Sequence, residues 1–575
     1  MISDFDVEGK NKFQKACYYF RYYGISYTVK KALRKFGVPI SEESEYMTWC
    51  RRNTASSKEL DLQRKDALSG KFSFVIVSEE DPADAAQSGW RKQTCKNVSF
   101  VQITEETELG ALLEKNPGEY FVFSGRDIKA LPEFLYEISG AADRRHRQYS
   151  SRIRIENKKQ PDLIYTDEDN CVGKKRYRPF FKPDASMQML LNFPYLGRCF
   201  AVKRSLLEKI SRSRVEIELY GNDWYDLSLQ AFFRAEHIFH IPEVLFSNVV
   251  SEDRKDSFVR SGGEDPISCI RRFLKSVNIG AEVTETDVPG FFHARYELAQ
   301  KPLISIVIPN KDHTEDLKKC LDSLKRCSYD NYEVIIAENN SEDEQTFAFY
   351  EKLTEEDARI RVVVWEGAFN YSAINNFAAR KANGELFLFL NNDTEFIGSD
   401  TLYELAASVL KPGVGACGAM LYYGDQTIQH AGVIIGMGGF AAHALWSLTD
   451  RDEKYFPFSL CEREVSGVTG ACLMVRRSVY EEVGGMGEDF VVALNDVDLC
   501  LKIRAAGYKI LFNPFAKLYH YESKSRGYED TMEKQTRFQS EIERLQKKWR
   551  EEIEQGDPYY NRNLTLHRAD YSMDV

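Results

Sequence analysis

The stretch GELFLFLNNDTEF, Gly384–Phe396, decides how the rest of the 575-residue chain is read. Its five consecutive apolar residues, Leu386–Leu390, predict a strand covered on both faces, as in the middle of a parallel sheet. The run breaks into Asn391, Asn392, Asp393, Thr394 and Glu395, a cluster of oxygen-bearing side chains at a strand's C-terminal end. Open α/β sheets bind ligands at that end. A polar turn behind a core strand is the plain alternative. A second polar cluster downstream, Asn495, Asp496 and Asp498 with His520 beyond it, favours a site.

Outward from this strand the pattern repeats. ISIVIPN (304–310), YEVIIAENN (332–340) and IRVVVWEG (360–367) precede it, with helical segments between. An earlier series, FSFVIVS (72–78), VSFVQIT (98–104) and YFVFSGRD (120–127), has the same alternation. Strands separated by helices predict an α/β protein with a doubly wound, mostly parallel sheet in each half. The halves also align with one another. PGEYFVFSGRD (117–127) lies on NGELFLFLNND (383–393) at a constant offset, 393 − 127 = 266. NDWYDL (222–227) lies on NDVDLC (495–500) when Asp226 is matched to Asp498, and Pro242 and Pro514 then each follow 16 residues later. In this register Gly125 replaces Asn391, Trp224 replaces Asp496 and Asn248 replaces His520, while Asp127 keeps the place of Asp393. The fold reads as duplicated, with the chemistry in the second copy. A rival second centre in the first copy would use Asp167, Glu168 and Asp169, read as following the strand DLIY.

The remaining segments frame these halves. Residues 1–70 read as a helical extension whose stretch 10–36 is basic, either a membrane-surface helix pair or a face packed on the next domain. The first domain takes 71–250, a linker region 251–301 and the second domain 302–528. From 529 to 575, Phe538, Ile542, Leu545, Trp549 and Ile553 mark an amphipathic helix, and the tail DPYYNRNLTL is expected to fold back onto the body.

Composition narrows the function. A chain this long holds about three or four folded units. Its 43% hydrophobic and 13% aromatic content is that of a globular protein. The net charge of -11 speaks against a general nucleic-acid binder. The twelve cysteines are scattered without CxxC pairs, which suits reduced thiols in a cytosolic protein. With no apolar run near the length of a membrane span, a soluble intracellular protein is expected, possible membrane contact being peripheral.

Over about 303–527 the pieces SIVIPNKD, AENNSED, FNYSAINNFAARKANGE, LFLNNDTE, IQHAGVIIG, VTGACLMVRR, GGMGEDF, NDVDLCLKIRAAGY and LYHYESKSRG occur in order. Together they resemble a family-2 glycosyltransferase of GT-A fold, of the branch that includes rhamnosyltransferases of bacterial cell-surface polysaccharides. DLIYTDEDN, FKPDAS, HIPEVLF and DPYYNRNL resemble the leading domain and ending of two-domain members.

The resemblance implies two tandem GT-A-like domains, the first degenerate, and single-displacement transfer with inversion. The donor is a nucleotide sugar, dTDP-rhamnose with UDP-hexoses as the alternative, and the acceptor a hydroxyl of a growing polysaccharide or lipid-linked glycan. A divalent metal, Mn²⁺ or Mg²⁺, would steady the departing diphosphate. Its implied ligands are Asp393 and His520, with Asn391 standing where relatives carry the first aspartate of DxD. Asp496 is the implied general base, since an attacking hydroxyl must lose its proton. Capping of the following helix is the structural alternative for Asp496. The nucleotide would meet Pro309, Asn310, Asp312, Glu338, Asn376, Arg380 and Asn392. The acceptor would meet Thr469, Gly470 and Ala471, with His443, Trp446 and Asp498 nearby. A noncatalytic glycan- or nucleotide-binding scaffold and a nucleotidyltransferase are the readings from other classes. The second lacks support, because IPNKDHTED has no glycine to form a phosphate loop.

Overall fold

The computed structural model describes residues 42–80, 88–143, 160–221, 223–251, 265–450, 456–521 and 531–574. The basic stretch 10–36 lies outside these residues. Within the N-terminal extension, Glu42–Asn53 and Ser57–Lys65 are helices, the second closed by a capping box between Ser56 and Glu59.

The first half builds one sheet from β1 (Phe74–Ser78), β2 (Val98–Gln102), β3 (Tyr120–Ser124), β4 (Ile128–Ala130), β5 (Leu163–Val172), β6 (Lys175–Phe180), β7 (Cys199–Lys203) and β8 (Ile238–Val249). Between the halves, β9 (Ala281–Glu285) and β10 (Phe292–Tyr296) form a hairpin after the helix Pro266–Ser276. Phe273, Leu274, Phe291 and Phe292 of this segment are buried, so the 251–301 region is in its described part a folded connector.

The second half contributes β11 (Ile304–Asn310), β12 (Tyr332–Glu338), β13 (Ile360–Val364), β14 (Leu386–Leu390), β15 (Thr394–Phe396), β16 (Val414–Tyr422), β17 (Ile428–His430), β18 (Val433–Ile435), β19 (Ala441–His443), β20 (Arg463–Val465), β21 (Cys472–Arg476) and β22 (Lys509–His520). β18 and β19 pair apart from the large sheet.

The two large sheets have one topology. The first runs β2-β1-β3-β7-β5-β8-β4 and the second β12-β11-β14-β21-β16-β22-β15, with β13 added beside β12. Every step agrees in direction: β1 with β2 and β3, and β11 with β12 and β14, are parallel, while β7 and β21 run antiparallel to both neighbours. Register agrees as well, since Ile128 faces Asn248 as Thr394 faces His520. That match reproduces the alignment of Asp127 with Asp393 and of Asn248 with His520. The sequence pattern of β14 holds too: all five residues are buried, parallel to β11 on one side and antiparallel to β21 on the other.

The TDED run sits differently from expectation. Thr166, Asp167, Glu168 and Asp169 lie inside β5, wholly buried, rather than on a loop beyond it. Asp167 accepts from His240 Nε2 at 2.8 Å, Glu168 pairs with Lys182 Nζ at 2.8 Å, and Asp169 takes Arg176 Nε at 2.6 Å. Arg176 on the hairpin partner β6, Lys182 just beyond it and His240 on β8 let a strand carry three carboxylates through a core. They are structural ion pairs, which removes the basis for a second centre there.

The C-terminal part ties the halves together. The helix Met532–Lys548 buries Ile542 and Leu545 against the second half. Behind it, Asn561 donates to both Asp167 oxygens, at 2.9 and 3.1 Å, and Asn563 to Pro242 O at 2.8 Å. The tail therefore does fold back, onto the first half. Among the described residues no helix is long and apolar enough to cross a membrane.

Candidate active site

The polar residues after β14 are held by strand pairing. Asn391 N–H donates to Ala471 O at 3.0 Å, fastening the end of β14 to the loop that enters β21. Tyr521 N–H donates to Asp393 O at 3.0 Å, continuing the β15–β22 pairing that sets Thr394 opposite His520. The side chains of Asp393 and His520, 127 residues apart in sequence (520 − 393), thereby meet, Oδ1 to Nε2 at 3.2 Å.

The histidine is oriented by its other nitrogen. Nδ1 lies 2.6 Å from Oε1 of buried Gln429 on β17 and donates to it, which leaves a lone pair on Nε2. Asn391 Nδ2 donates toward that lone pair at 3.2 Å. A carboxylate oxygen and an imidazole lone pair converging from adjacent strands are hard donors that suit a divalent cation, with the amide of Gln429 fixing the tautomer from behind. No group of three or more His, Cys, Asp or Glu side chains suited to a metal occurs among the described residues. Two such donors, Asp393 Oδ1 and His520 Nε2, meet here.

Asp496 is reached from the opposite side. Leu494, in the left-handed region at φ 60°, turns the chain into the helix Asn495–Ala505. Asp496 Oδ2 then accepts from Gly470 N–H and Oδ1 from Val497 N–H, each at 2.8 Å. One amide per oxygen holds the carboxylate in place and leaves lone pairs for a further proton donor. The Val497 bond satisfies a first-turn amide, as the capping alternative expects, while the Gly470 bond ties the other oxygen to the loop before β21.

Tyr371, which the sequence reading passed over, stands between the two groups. Its hydroxyl donates to Gly470 O at 3.0 Å and lies 3.4 Å from Asn391 Oδ1. Burial, with Asp496 close by, pushes its ionisation well above the ordinary range, so it stays a donor. Gly470 permits the approach, because a Cβ there would sit 3.3 Å from the Tyr371 hydroxyl. FNYSAINNF flagged the segment, and the neighbouring IQHAGVIIG contained Gln429. Neither pattern reveals which atom points at the site.

The other predicted residues divide. Asn392 donates to Asn310 Oδ1 at 2.6 Å, joining the ends of β14 and β11 beside Pro309. Thr469, Gly470 and Ala471 form the loop under Asp496, and Thr469 N–H donates to His430 Nε2 at 3.4 Å. His443 lies nearby, its ring 4.7 Å from that of His430 and its Nδ1 3.0 Å from Gln429 O. Trp446 is further along, donating to Tyr423 Oη at 2.8 Å.

Five residues do not face the site as expected. Glu338 turns inward, accepting from Ser341 N–H at 2.6 Å and from the Ser341 and Tyr350 hydroxyls at 2.7 Å. Desolvation pushes the Asp312 carboxyl up, but the Asp343 and Glu342 amides it accepts ahead of the helix Glu344–Glu356, with Lys311 beside it, together outweigh that and hold it below the usual range. Asp498 is wholly buried and bonds Trp549 Nε1 at 2.8 Å and Lys548 Nζ at 2.6 Å, fixing the C-terminal helix. Asn376 is saturated by Met486, Glu488 and Tyr480. Arg380 follows Tyr371 by nine residues (380 − 371), about 13 Å down the helix from the site.

The first half lacks the equivalent chemistry. Asn248, in the position of His520, donates to Glu168 Oε1 at 3.1 Å. Trp224 is wholly buried against Phe123. Counted from the left-handed residue before each helix, Trp224 and Leu494, the position of Asp496 belongs to Asp226 rather than to Trp224. Asp226 is wholly buried and paired with Arg272 at 2.9 Å.

Residues 305–484 match the model of the family described as Glycosyl transferase family 2. The chain is 36% identical over 420 residues to the uncharacterized protein y4gI of Sinorhizobium fredii, covering 71% of this chain and 46% of that protein. It is likewise 36% identical over 422 residues to the O-antigen biosynthesis protein RfbC of Myxococcus xanthus, covering 72% of this chain and 32% of that one. An N-acetylglucosaminyl-diphospho-decaprenol L-rhamnosyltransferase of Mycobacterium tuberculosis is 31% identical over 126 residues, 20% of this chain and 40% of its own length. The chain therefore spans less than half the length of these relatives. The match to the glycosyl transferase family 2 model falls within the second half.

Proposed function

We propose that the second half transfers a sugar, with inversion, from a nucleotide-sugar donor to a hydroxyl of a cell-surface polysaccharide or lipid-linked glycan. The observation that carries this is the meeting of Asp393 and His520 on one side, and Asp496 on the other, around the end of β14. Asp496 receives the acceptor proton as the hydroxyl oxygen bonds C1 and the C1–diphosphate bond breaks. The Gly470 and Val497 amides keep its carboxylate in reach. Asp393 and His520 hold a divalent ion, which when bound offsets the charge growing on the diphosphate. Asn310 and Asn392 shape the nucleotide side, and Thr469 to Ala471 with His443 the acceptor side.

Rhamnose from a dTDP carrier is the favoured donor, in view of the rhamnosyltransferase and O-antigen relatives; a UDP-hexose is the alternative. The test incubates the protein with nucleotide sugars, Mn²⁺ and lipid-linked acceptors. Release of nucleoside diphosphate with a β-linked product from an α-linked donor, or the reverse, supports the reading. Binding of donor without release returns the protein to a scaffold role, and release of inorganic pyrophosphate would make it a nucleotidyltransferase.

A further inference from the structure

Asn376 and Arg380 line a cavity of about 260 Å³ with Phe387, Tyr480, Glu481 and Glu488. We propose that this cavity is a subsite for a neutral sugar ring, outside the reacting centre. On the acceptor reading above, it holds a sugar further along the acceptor.

The cavity is prebuilt. Asn376 Nδ2 donates to Met486 O and Glu488 Oε1, both at 3.0 Å. Its Oδ1 accepts from the Tyr480 hydroxyl at 2.6 Å and from Met486 N–H at 3.0 Å. Gly485, at φ 67°, passes so close that a Cβ would lie 2.6 Å from Asn376 Oδ1. A wall pinned at four points needs little ordering when a ligand enters.

Its chemistry suits hydroxyl groups. Arg380 is exposed at the end of the 371–379 helix, and its guanidinium makes no ion pair or hydrogen bond among the described residues. Glu481 pairs with Arg477 at 2.8 Å, so two cations and two carboxylates balance around the opening. Hydroxyls both donate and accept, and match such a mixed lining. A phosphate or uronate would meet Glu488 and the negative end of the helix dipole, both unfavourable to an anion. Phe387 and Tyr480 supply an apolar floor, as small-ligand pockets require.

The cavity also communicates with the reacting centre. Asn370 donates to Glu488 O at 2.9 Å, Tyr371 N–H to Val491 O at 2.8 Å, and Ser372 Oγ to Phe490 O at 2.7 Å. One rigid loop, 484–491, therefore forms a wall of the cavity and runs to the helix end that carries Tyr371.

The experiment is ligand-observed saturation-transfer NMR on the full chain with four probes: methyl α-L-rhamnoside, methyl β-D-glucoside, glucuronate and UDP. Wild type and Asp496→Asn should saturate the neutral glycosides, and Arg380→Ala and Glu481→Ala should each lose most of that signal with an unchanged melting temperature. Neutral-glycoside signal indifferent to both substitutions overturns the subsite. So does an Arg380-dependent signal from glucuronate or UDP. Loss of product formation in the transfer assay, with Arg380-dependent glycoside binding intact, would sink the transferase reading and leave the sugar site standing.

Discussion

The two halves share strand order, direction and register, yet differ in what meets the carboxylates at one matching corner. In the first, four buried carboxylates each meet a basic side chain: Asp167 meets His240, Glu168 Lys182, Asp169 Arg176 and Asp226 Arg272. In the second, Asp496 is met by amides and Asp393 by a histidine lone pair. A neighbouring cation satisfies a carboxylate and removes it from chemistry. Amides hold Asp496 and leave it lone pairs for a proton, while two acceptors facing each other at Asp393 and His520 suit a shared cation. At the rim the contrast persists: Gly125 has no side-chain ligand, and Arg126 beside it is paired with Glu79 at 2.7 Å. One fold thus carries an amide-held version and an ion-paired version of the same corner.

The largest expected effect compares Asp496 with its helical counterpart. Asp496→Asn should lower transfer by about 10²–10⁴-fold with little change in melting temperature. Asp226→Asn should instead cost about 1.5–3 kcal/mol of stability and leave transfer per folded molecule unchanged. Parallel kinetics and thermal unfolding decide it. Transfer lost from the Asp226 variant while its melting temperature holds would break the comparison.

Next comes the cation. Asp393→Ala should weaken nucleotide-sugar binding in Mn²⁺ by roughly 10–100-fold, the size of effect seen for partners of metal sites, with His520→Ala acting less strongly. Asp127→Ala, at the matching place in the first half, should change nothing in the same titration. Calorimetry with Mn²⁺ and with EDTA reads both, and identical affinities under the two conditions would mean that Asp393 works without a metal.

A smaller loss is expected at Tyr371. Removing the hydroxyl with Tyr371→Phe keeps the ring but frees the Gly470 peptide, and one neutral hydrogen bond corresponds to about three- to tenfold in kcat. KM for the donor should stay put. A rise in donor KM with kcat intact would move Tyr371 to the nucleotide.

The smallest effect is in the first half and depends on pH. Burial alone would push His240 down, but Asp167, with Asp184, holds its imidazolium above the ordinary value. The ring also stacks on Tyr165 at 4.7 Å. Because the folded pKa is raised, this stability is complete below about pH 6.5 and is lost as pH rises through the folded value. Melting temperature should therefore fall between pH 6.5 and 9 more steeply in wild type than in His240→Gln. Equal slopes would show that His240 is neutral in the fold.

Much of this was legible in the chain. Five apolar residues ending in polar ones marked β14, and the 266-residue offset marked the duplication, because periodicity and spacing are local properties. The strand that swallowed TDED was not, since charges normally end a buried strand and only the fold of the β5–β6 hairpin and the neighbouring β8 bring Arg176, Lys182 and His240 onto them. Asn376 and Arg380 were placed on the right helix but on the wrong turns of it. Pattern gives the helix; only rise per residue and packing say how far each position stands from the chemistry.

The bond between Asn561 and Asp167 sets a clock on biogenesis. The two residues are 394 positions apart, and at about 5–20 residues per second a ribosome needs roughly 20–80 s to pass from one to the other. During that interval the first half exists as a nascent domain whose central acidic strand still lacks a donor. Final closure of that domain must then await the synthesis of residue 561, so a pause or nick before it would leave an early, already synthesised domain as the vulnerable one.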